Sequence, residues 1–122
     1  MIKAASAAKL KQWLEAGEAT LVDVREPDEY TRSHIAGSVS LPLATVTADA
    51  LPPFEGKKLV MQCQMGSRSL TACKKLAKEN PTLDVYNLEG GIFSWKKAGY
   101  ETITVPANGA AKTASPLAPG NG

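Results

Sequence analysis

The sequence predicts an α/β fold: one domain with a mostly parallel central sheet of about five strands, flanked by helices on both faces. Segments with the composition of buried strands alternate along the chain with amphipathic helical segments, which is typical of right-handed βαβ crossovers. The chain has 122 residues, of which 43% are hydrophobic. This is enough for one domain with a core of its own.

The first predicted element is a helix that follows Ser6. Serine is a favourable N-cap residue, and Gly17 stands where the helix is expected to end. Between them, Leu10, Trp13 and Leu14 fall on one helical stripe. The spacing therefore predicts an amphipathic helix.

Strand and helix patterns then alternate as far as residue 56. Residues 19–25 have the composition of a buried strand, and Pro27 with its acidic neighbours indicates the start of a short helix. Residues 38–42 predict a short strand that Pro42 ends. Residues 43–56 predict a helical turn followed by a loop.

The second half of the chain repeats the alternation. Residues 57–63 predict a strand, and residues 67–80 predict an amphipathic helix that stops before Pro81. Residues 83–90 predict another strand and residues 91–99 a final helix. This order of elements favours a parallel sheet.

The composition changes after the last predicted element. We expect residues 1–105 to form the folded domain. Residues 106–122 consist mainly of Ala, Gly, Pro, Ser and Asn, and they are too poor in large apolar side chains to pack into a core. They predict a flexible tail or a truncated linker.

Charge and hydropathy narrow the class of protein. A formal net charge of +2 with dispersed lysines does not favour nucleic acid as a partner, since that requires a clustered basic surface. No apolar run approaches the roughly 20 residues of a membrane helix. Lysines interrupt the apolar residues at the N terminus, unlike those of a secretory signal. We therefore expect a cytoplasmic protein with no membrane span in this chain.

The chain contains two cysteines, Cys63 and Cys73, and one histidine, His34. Their spacing matches none of the usual zinc sites, and a reducing compartment disfavours a disulfide, so we predict no metal. Cys73 shares a helical face with Leu70 and Leu76 and is expected to be a small buried side chain.

Cys63 is the strongest candidate for a catalytic residue. It ends a predicted strand just before a helix, which is where ligands bind in parallel α/β sheets. Free N–H groups and the helix dipole favour an anion there, so they predict, together with Arg68, a lowered pKa for Cys63. Gly66 lets the loop backbone curl. Ser67 and Ser69 supply hydroxyl donors.

Three separated segments resemble the signatures of the single-domain rhodaneses, a family of sulfurtransferases. They are LVDVREPDEYTRSHIAGSVSLP at residues 21–42, CQMGSRS at 63–69 and LEGGIFSWKKAGY at 88–100. In order, they resemble the family's amino-terminal signature, active-site loop and carboxyl-terminal signature.

The resemblance implies a thiosulfate sulfurtransferase. Cys63 would take the outer sulfur of thiosulfate, or of another small sulfur donor, as a persulfide and pass it to cyanide or a thiol. Thioredoxin or another sulfur-accepting protein is an acceptor of the kind that the family implies. No cofactor is needed. Arg68 would attract the anionic donor. The implied anion-binding loop consists of Gln64, Met65, Gly66, Ser67, Arg68 and Ser69.

Other residues in the family signatures are expected to be structural. Asp23 and Arg25 match the family pattern D-x-R, and we expect them to form a salt bridge that supports the cysteine loop from the neighbouring strand without contacting the substrate. His34 is expected to order a turn through hydrogen bonds. Gly90 and Gly91 are expected to form the turn into the last helix.

Two other functions stay open at this point. Tyrosine phosphatases and arsenate-reducing enzymes also bind anions between a cysteine and an arginine at a helix start. Their loops have one residue more between the two than the four of this chain, residues 64–67. This shorter spacing favours a single sulfur over a tetrahedral oxyanion. The third alternative is an interaction module without turnover, although such a module has no need of an activated thiol.

Overall fold

The computed structural model describes residues 1–104. The predicted tail at 106–122 lies outside the described residues. The strands are β1 (Ile2–Ala5), β2 (Ala19–Asp23), β3 (Ser33–His34), β4 (Val39–Ser40), β5 (Lys58–Gln62), β6 (Val85–Leu88) and β7 (Ile103–Thr104). The helices are α1 (Ala7–Glu15), α2 (Pro27–Arg32), α3 (Ser67–Glu79) and α4 (Gly91–Lys97). None of them, over residues 1–104, is long and apolar enough to cross a membrane.

The central sheet has five strands in the order β1-β6-β5-β2-β4. Every neighbouring pair in this sheet is parallel. The predicted α/β class with a parallel sheet is therefore confirmed. Strand β5 lies at the centre, so the loop at its carboxyl end opens between the ends of β2 and β6.

Helices cover both faces of the sheet, as the sequence predicts. Along β5, Leu59 and Met61 pack into a cluster with buried side chains of α3, whereas Val60 packs into a second cluster with side chains of α1 and α4. This alternation follows from the two-residue repeat of a strand. Cys63 continues the alternation and belongs to the α3 cluster. The strand register thus directs the thiol toward the start of α3.

Helix α1 begins as predicted. Ser6 is its N-cap residue, and the Ser6 hydroxyl accepts a hydrogen bond from the N–H of Lys9 at 3.1 Å. Residues 43–56, predicted as a helical turn and a loop, contain two short 3-10 turns, Leu43–Thr45 and Ala48–Ala50.

Three short strands are absent from the predictions. Strand β1 pairs with β6 at the edge of the sheet. Strands β3 and β7 form a separate antiparallel pair in which Ser33 lies opposite Thr104 and His34 opposite Ile103. Each of them is stabilised by a partner about 70 or more residues away, so local sequence patterns carry little signal for them.

Candidate active site

Cys63 lies in the turn between β5 and α3. The turn depends on Gly66, the N-cap residue of α3, which has a left-handed φ of +109°. A side chain there would be strained, which is why glycine suits the position. The turn brings the N–H of Gly66 to 3.0 Å from Sγ of Cys63. Only 1% of the Cys63 surface is exposed.

The surroundings of Cys63 favour its ionised form. Burial alone would raise the pKa of the thiol, but hydrogen bonds from the Ser69 side chain and from the N–H groups of Ser69, Gly66 and Met65 outweigh it, so the pKa is lowered. The Ser69 hydroxyl oxygen lies 3.3 Å from Sγ. These donors belong to the first turn of α3 and the turn before it, where the helix dipole also favours an anion.

Asn87, on β6, is a site residue that the sequence analysis missed. Its Nδ2 donates to the carbonyl oxygen of Gly66 at 3.2 Å, and its Oδ1 contacts the Ser69 hydroxyl, whose single proton is donated either to Oδ1 or to Sγ of Cys63. Asn87 therefore holds two residues that contact the thiol. The signal that could have found it is a polar residue near the carboxyl end of a strand, beside the strand that carries the cysteine.

The start of α4 fixes the other side of the cysteine loop. The N–H groups of Ile92 and Phe93 donate to the carbonyl oxygens of Cys63 and Gln64 at 2.9 and 3.1 Å. These carbonyl groups are thereby held toward α4. Gly91 permits the contact, because a Cβ atom at this position would lie 2.4 Å from each of the same two carbonyl oxygens.

Arg68 has a binding partner that the sequence analysis did not anticipate. Its two terminal nitrogens bind the two carboxylate oxygens of Glu29 on α2 at 2.8 and 3.1 Å. The guanidinium lowers the pKa of Glu29 to about 2. Interactions with the Ser69, Gly66 and Met65 groups, rather than with Arg68, are the main causes of the lowered Cys63 pKa. That Arg68 attracts an anionic donor stays a prediction, and the local sequence could not reveal the partner of this arginine 39 residues away.

Asp23 and Arg25 form an ion pair at the carboxyl end of β2, the strand next to β5. Arg25 Nη2 lies 2.7 Å from Asp23 Oδ2, and both side chains are buried. Arg25 Nη2 also donates to the carbonyl oxygen of Ser33 at 2.6 Å. The pair thus connects the end of β2 to the segment that follows α2.

The other predicted loop residues lie at the surface or away from the thiol. The side chain of Met65 is 57% exposed. Ser67, also exposed, begins α3, and among the described residues its hydroxyl makes no hydrogen bond to Sγ of Cys63.

Cys73 and His34 lie outside the cysteine loop. Burial raises the pKa of Cys73 to about 12. His34 stacks on Tyr30 and contacts its carbonyl oxygen through Nδ1 at 2.9 Å.

Ser69→Ala is expected to raise the pKa of Cys63, because it removes the hydroxyl that stabilises the thiolate. Since thiolate is lost as the pH falls through this pKa, the variant should lose thiolate at a higher pH than the wild type. The ultraviolet absorbance of the thiolate measures this inflection. Ser67→Ala is the matched control, and its thiolate inflection should lie at the wild-type pH. Equal inflections in wild type and Ser69→Ala would contradict the role of this hydroxyl.

Comparison with known proteins identifies the family. The family model of the rhodanese-like domain matches residues 6–98. The putative sulfurtransferase YtwF of Bacillus subtilis is 32% identical over 96 residues, which cover 78% of this chain and 91% of that protein. A crystal structure of a rhodanese-related protein from Thermoplasma volcanium matches with a TM-score of 0.70 and 32% identity, covering 83% of this chain and 97% of that one.

A further relative shares only part of its length with this chain. The uncharacterized protein slr1261 of Synechocystis is 39% identical over 94 residues, which cover 77% of this chain. The chain spans about half, 52%, of that relative. With the family model matching most of the chain, and a five-stranded parallel sheet of the same fold, the chain belongs to the rhodanese-like domain family.

Proposed function

We propose that the protein is a sulfurtransferase that moves a sulfane sulfur from thiosulfate or a persulfide to a thiophilic acceptor through a persulfide on Cys63. The observation that carries the proposal is the convergence of the Gly66 N–H and the Ser69 hydroxyl on Sγ, at 3.0 and 3.3 Å. These donors stabilise negative charge on sulfur, and a nucleophilic cysteine reacts as its thiolate.

In the first half of the proposed reaction, the Cys63 thiolate attacks the outer sulfur of thiosulfate. An Sγ–S bond forms, the S–S bond of thiosulfate breaks, and its electron pair leaves with sulfite. In the second half, cyanide or a thiolate attacks the terminal sulfur of the persulfide. The Sγ–S bond then breaks and its electron pair returns to Cys63. On the protein, the only bond that forms and breaks is the one between Sγ of Cys63 and the transferred sulfur. The proposed reaction therefore needs no cofactor.

The loop supports both halves of this reaction. The charge sits on Sγ before the transfer and on the terminal sulfur afterwards, close to the same donors. N–H groups that are already oriented stabilise such a charge without reorganisation, as in an oxyanion hole. Asn87 and the start of α4 keep these groups in place. We assign Asp23 and Arg25 the supporting role of holding the end of the neighbouring strand.

Mass spectrometry of the intact protein tests the proposal. The wild type should gain one sulfur atom after exposure to thiosulfate or an organic persulfide, and lose it when cyanide or a small thiol is added. Hydrolysis of an aryl phosphate, or reduction of arsenate, without sulfur gain would instead support the anion chemistry of the phosphatase and arsenate-reductase type. Neither activity, with a protein partner that binds equally to Cys63→Ala, would support an interaction module.

A further inference from the structure

We propose that Glu29 is a specificity-determining residue: by binding Arg68, it disfavours doubly charged sulfur donors relative to singly charged persulfides. This inference rests on the proposed sulfur transfer. It identifies a residue outside the cysteine loop, on α2, that would set the preference among donors.

Glu29 and Arg68 form a close, bidentate ion pair. Both carboxylate oxygens accept from the guanidinium, at 2.8 and 3.1 Å. The Glu29 and Arg68 side chains are 23% and 36% exposed. Such bidentate pairs are stronger than single contacts, and partial burial reduces their screening by salt. An anionic donor must therefore compete with Glu29 for this arginine.

Glu29 is itself held in position by α2. Its Oε1 accepts a hydrogen bond from the N–H of Glu26 at 3.0 Å, as part of a capping box at the start of the helix. A rotation of the carboxylate away from Arg68 would break this cap as well. The helix start therefore fixes the acidic partner beside the loop arginine.

The charges near the thiolate are balanced in pairs. Arg25 is bound by Asp23 at 2.7 Å, as Arg68 is bound by Glu29. Arg68 precedes Ser69, whose hydroxyl oxygen lies 3.3 Å from Sγ of Cys63, and Asp23 lies opposite Gln62, the residue before Cys63, so both pairs are close to the thiolate along the chain or the sheet. The two pairs sum to no net charge, and the thiolate adds a negative one. While Glu29 neutralises Arg68, only the helix dipole and the loop N–H groups remain to attract an anionic donor, and they act against the charge of the thiolate, which repels a dianion more than a monoanion.

Two donors of different charge can give the same product, a persulfide on Cys63. Thiosulfate carries two negative charges, transfers its outer sulfur to the thiolate and releases sulfite. Hydroxyethyl persulfide carries one negative charge at most, transfers its terminal sulfur by cleavage of its S–S bond, and releases a thiolate. In each case an Sγ–S bond replaces the S–S bond of the donor. The two donors also differ in leaving group and shape, but these differences are the same in every variant, so a change in the ratio between donors reports the effect of charge.

Glu29→Gln removes the charge and keeps the cap. Glutamine can close a capping box as glutamate does, so we expect the variant to fold. Asp28→Asn is the matched control, since it removes the same charge from the same helix. Asp28 is exposed and pairs with Arg32 at 3.6 Å, whereas Arg68 pairs with Glu29. Melting curves of both variants check that they fold as the wild type does.

The experiment measures kcat/KM for sulfur transfer from each donor to cyanide. Glu29→Gln should raise the value about tenfold for thiosulfate and about threefold or less for hydroxyethyl persulfide, because the attraction to a freed arginine scales with donor charge. The thiosulfate gain should shrink as salt is added. Asp28→Asn should leave the ratio between donors at its wild-type value.

An unchanged ratio in Glu29→Gln, or an equal shift of the ratio in Asp28→Asn, would overturn the role of Glu29. Failure of the proposed function has a different signature, in which Cys63 gains sulfur from neither donor in any variant. The inference about Glu29 would then fall with that function.

Discussion

Cys63→Ser should gain no sulfur from thiosulfate or persulfide and should transfer none to cyanide. The serine hydroxyl does not ionise near neutral pH and cannot hold the transferred sulfur as a persulfide. Removal of the nucleophile from a covalent mechanism lowers turnover by a factor of about a thousand or more. Intact mass measures the gain of sulfur, and thiocyanate formation measures turnover.

Cys73→Ala is the matched control for Cys63→Ser. It removes the other cysteine of the chain, which is fully buried on α3 and has a pKa of about 12. We expect this variant to gain one sulfur atom as the wild type does. Sulfur gain by Cys63→Ser, or its loss in Cys73→Ala alone, would refute the assignment of the nucleophile.

Gly91→Ala should destabilise the fold and disturb the cysteine loop. Gly91 has a left-handed φ of +59°, and the added Cβ would lie 2.4 Å from the carbonyl oxygens of Cys63 and Gln64. Both of these contacts involve backbone atoms that α4 holds in place. Strain at positive φ costs about 1–2 kcal/mol and overpacking about 1–3 kcal/mol, so the free energy of unfolding should fall by about 2–5 kcal/mol.

Gly17→Ala separates the cost of backbone strain from the cost of overpacking. Gly17 has a φ of +71°, close to that of Gly91, but a Cβ there has no neighbour within 4 Å. This control should cost only the strain, about 1–2 kcal/mol, and keep wild-type sulfur transfer. Urea unfolding measures both variants. Equal losses of stability and unchanged sulfur transfer would show that contact between α4 and the loop does not shape the site.

The fold class could be predicted because its signals are local. The stripe of α1, the N-cap Ser6 and the run of apolar residues in β5 depend on neighbours within a few positions, and each is found where expected. The short strands β3 and β7 form only because two distant segments meet. Their residues have no pattern that distinguishes them from loop.

The same distinction applies to the candidate site. Cys63, Gly66 and Ser69 are close in sequence, and their spacing around a strand end predicts the loop. Asn87 and Glu29 reach this loop from β6 and α2, at separations of 21 and 39 residues from Gly66 and Arg68. No pattern in one sequence joins these positions. The sequence therefore predicted a role for Arg68 toward the anionic donor without revealing its bond to Glu29.

The burial of Cys73 has a consequence under oxidative stress. Peroxide converts an activated thiolate to a sulfenic acid, which a second thiolate can rescue by forming a disulfide. Cys73, with its pKa of about 12, stays protonated and is a poor nucleophile for this rescue. We therefore expect a thiol from another molecule, rather than Cys73, to repair oxidised Cys63. Without one, further oxidation to the sulfinic acid would inactivate the protein irreversibly.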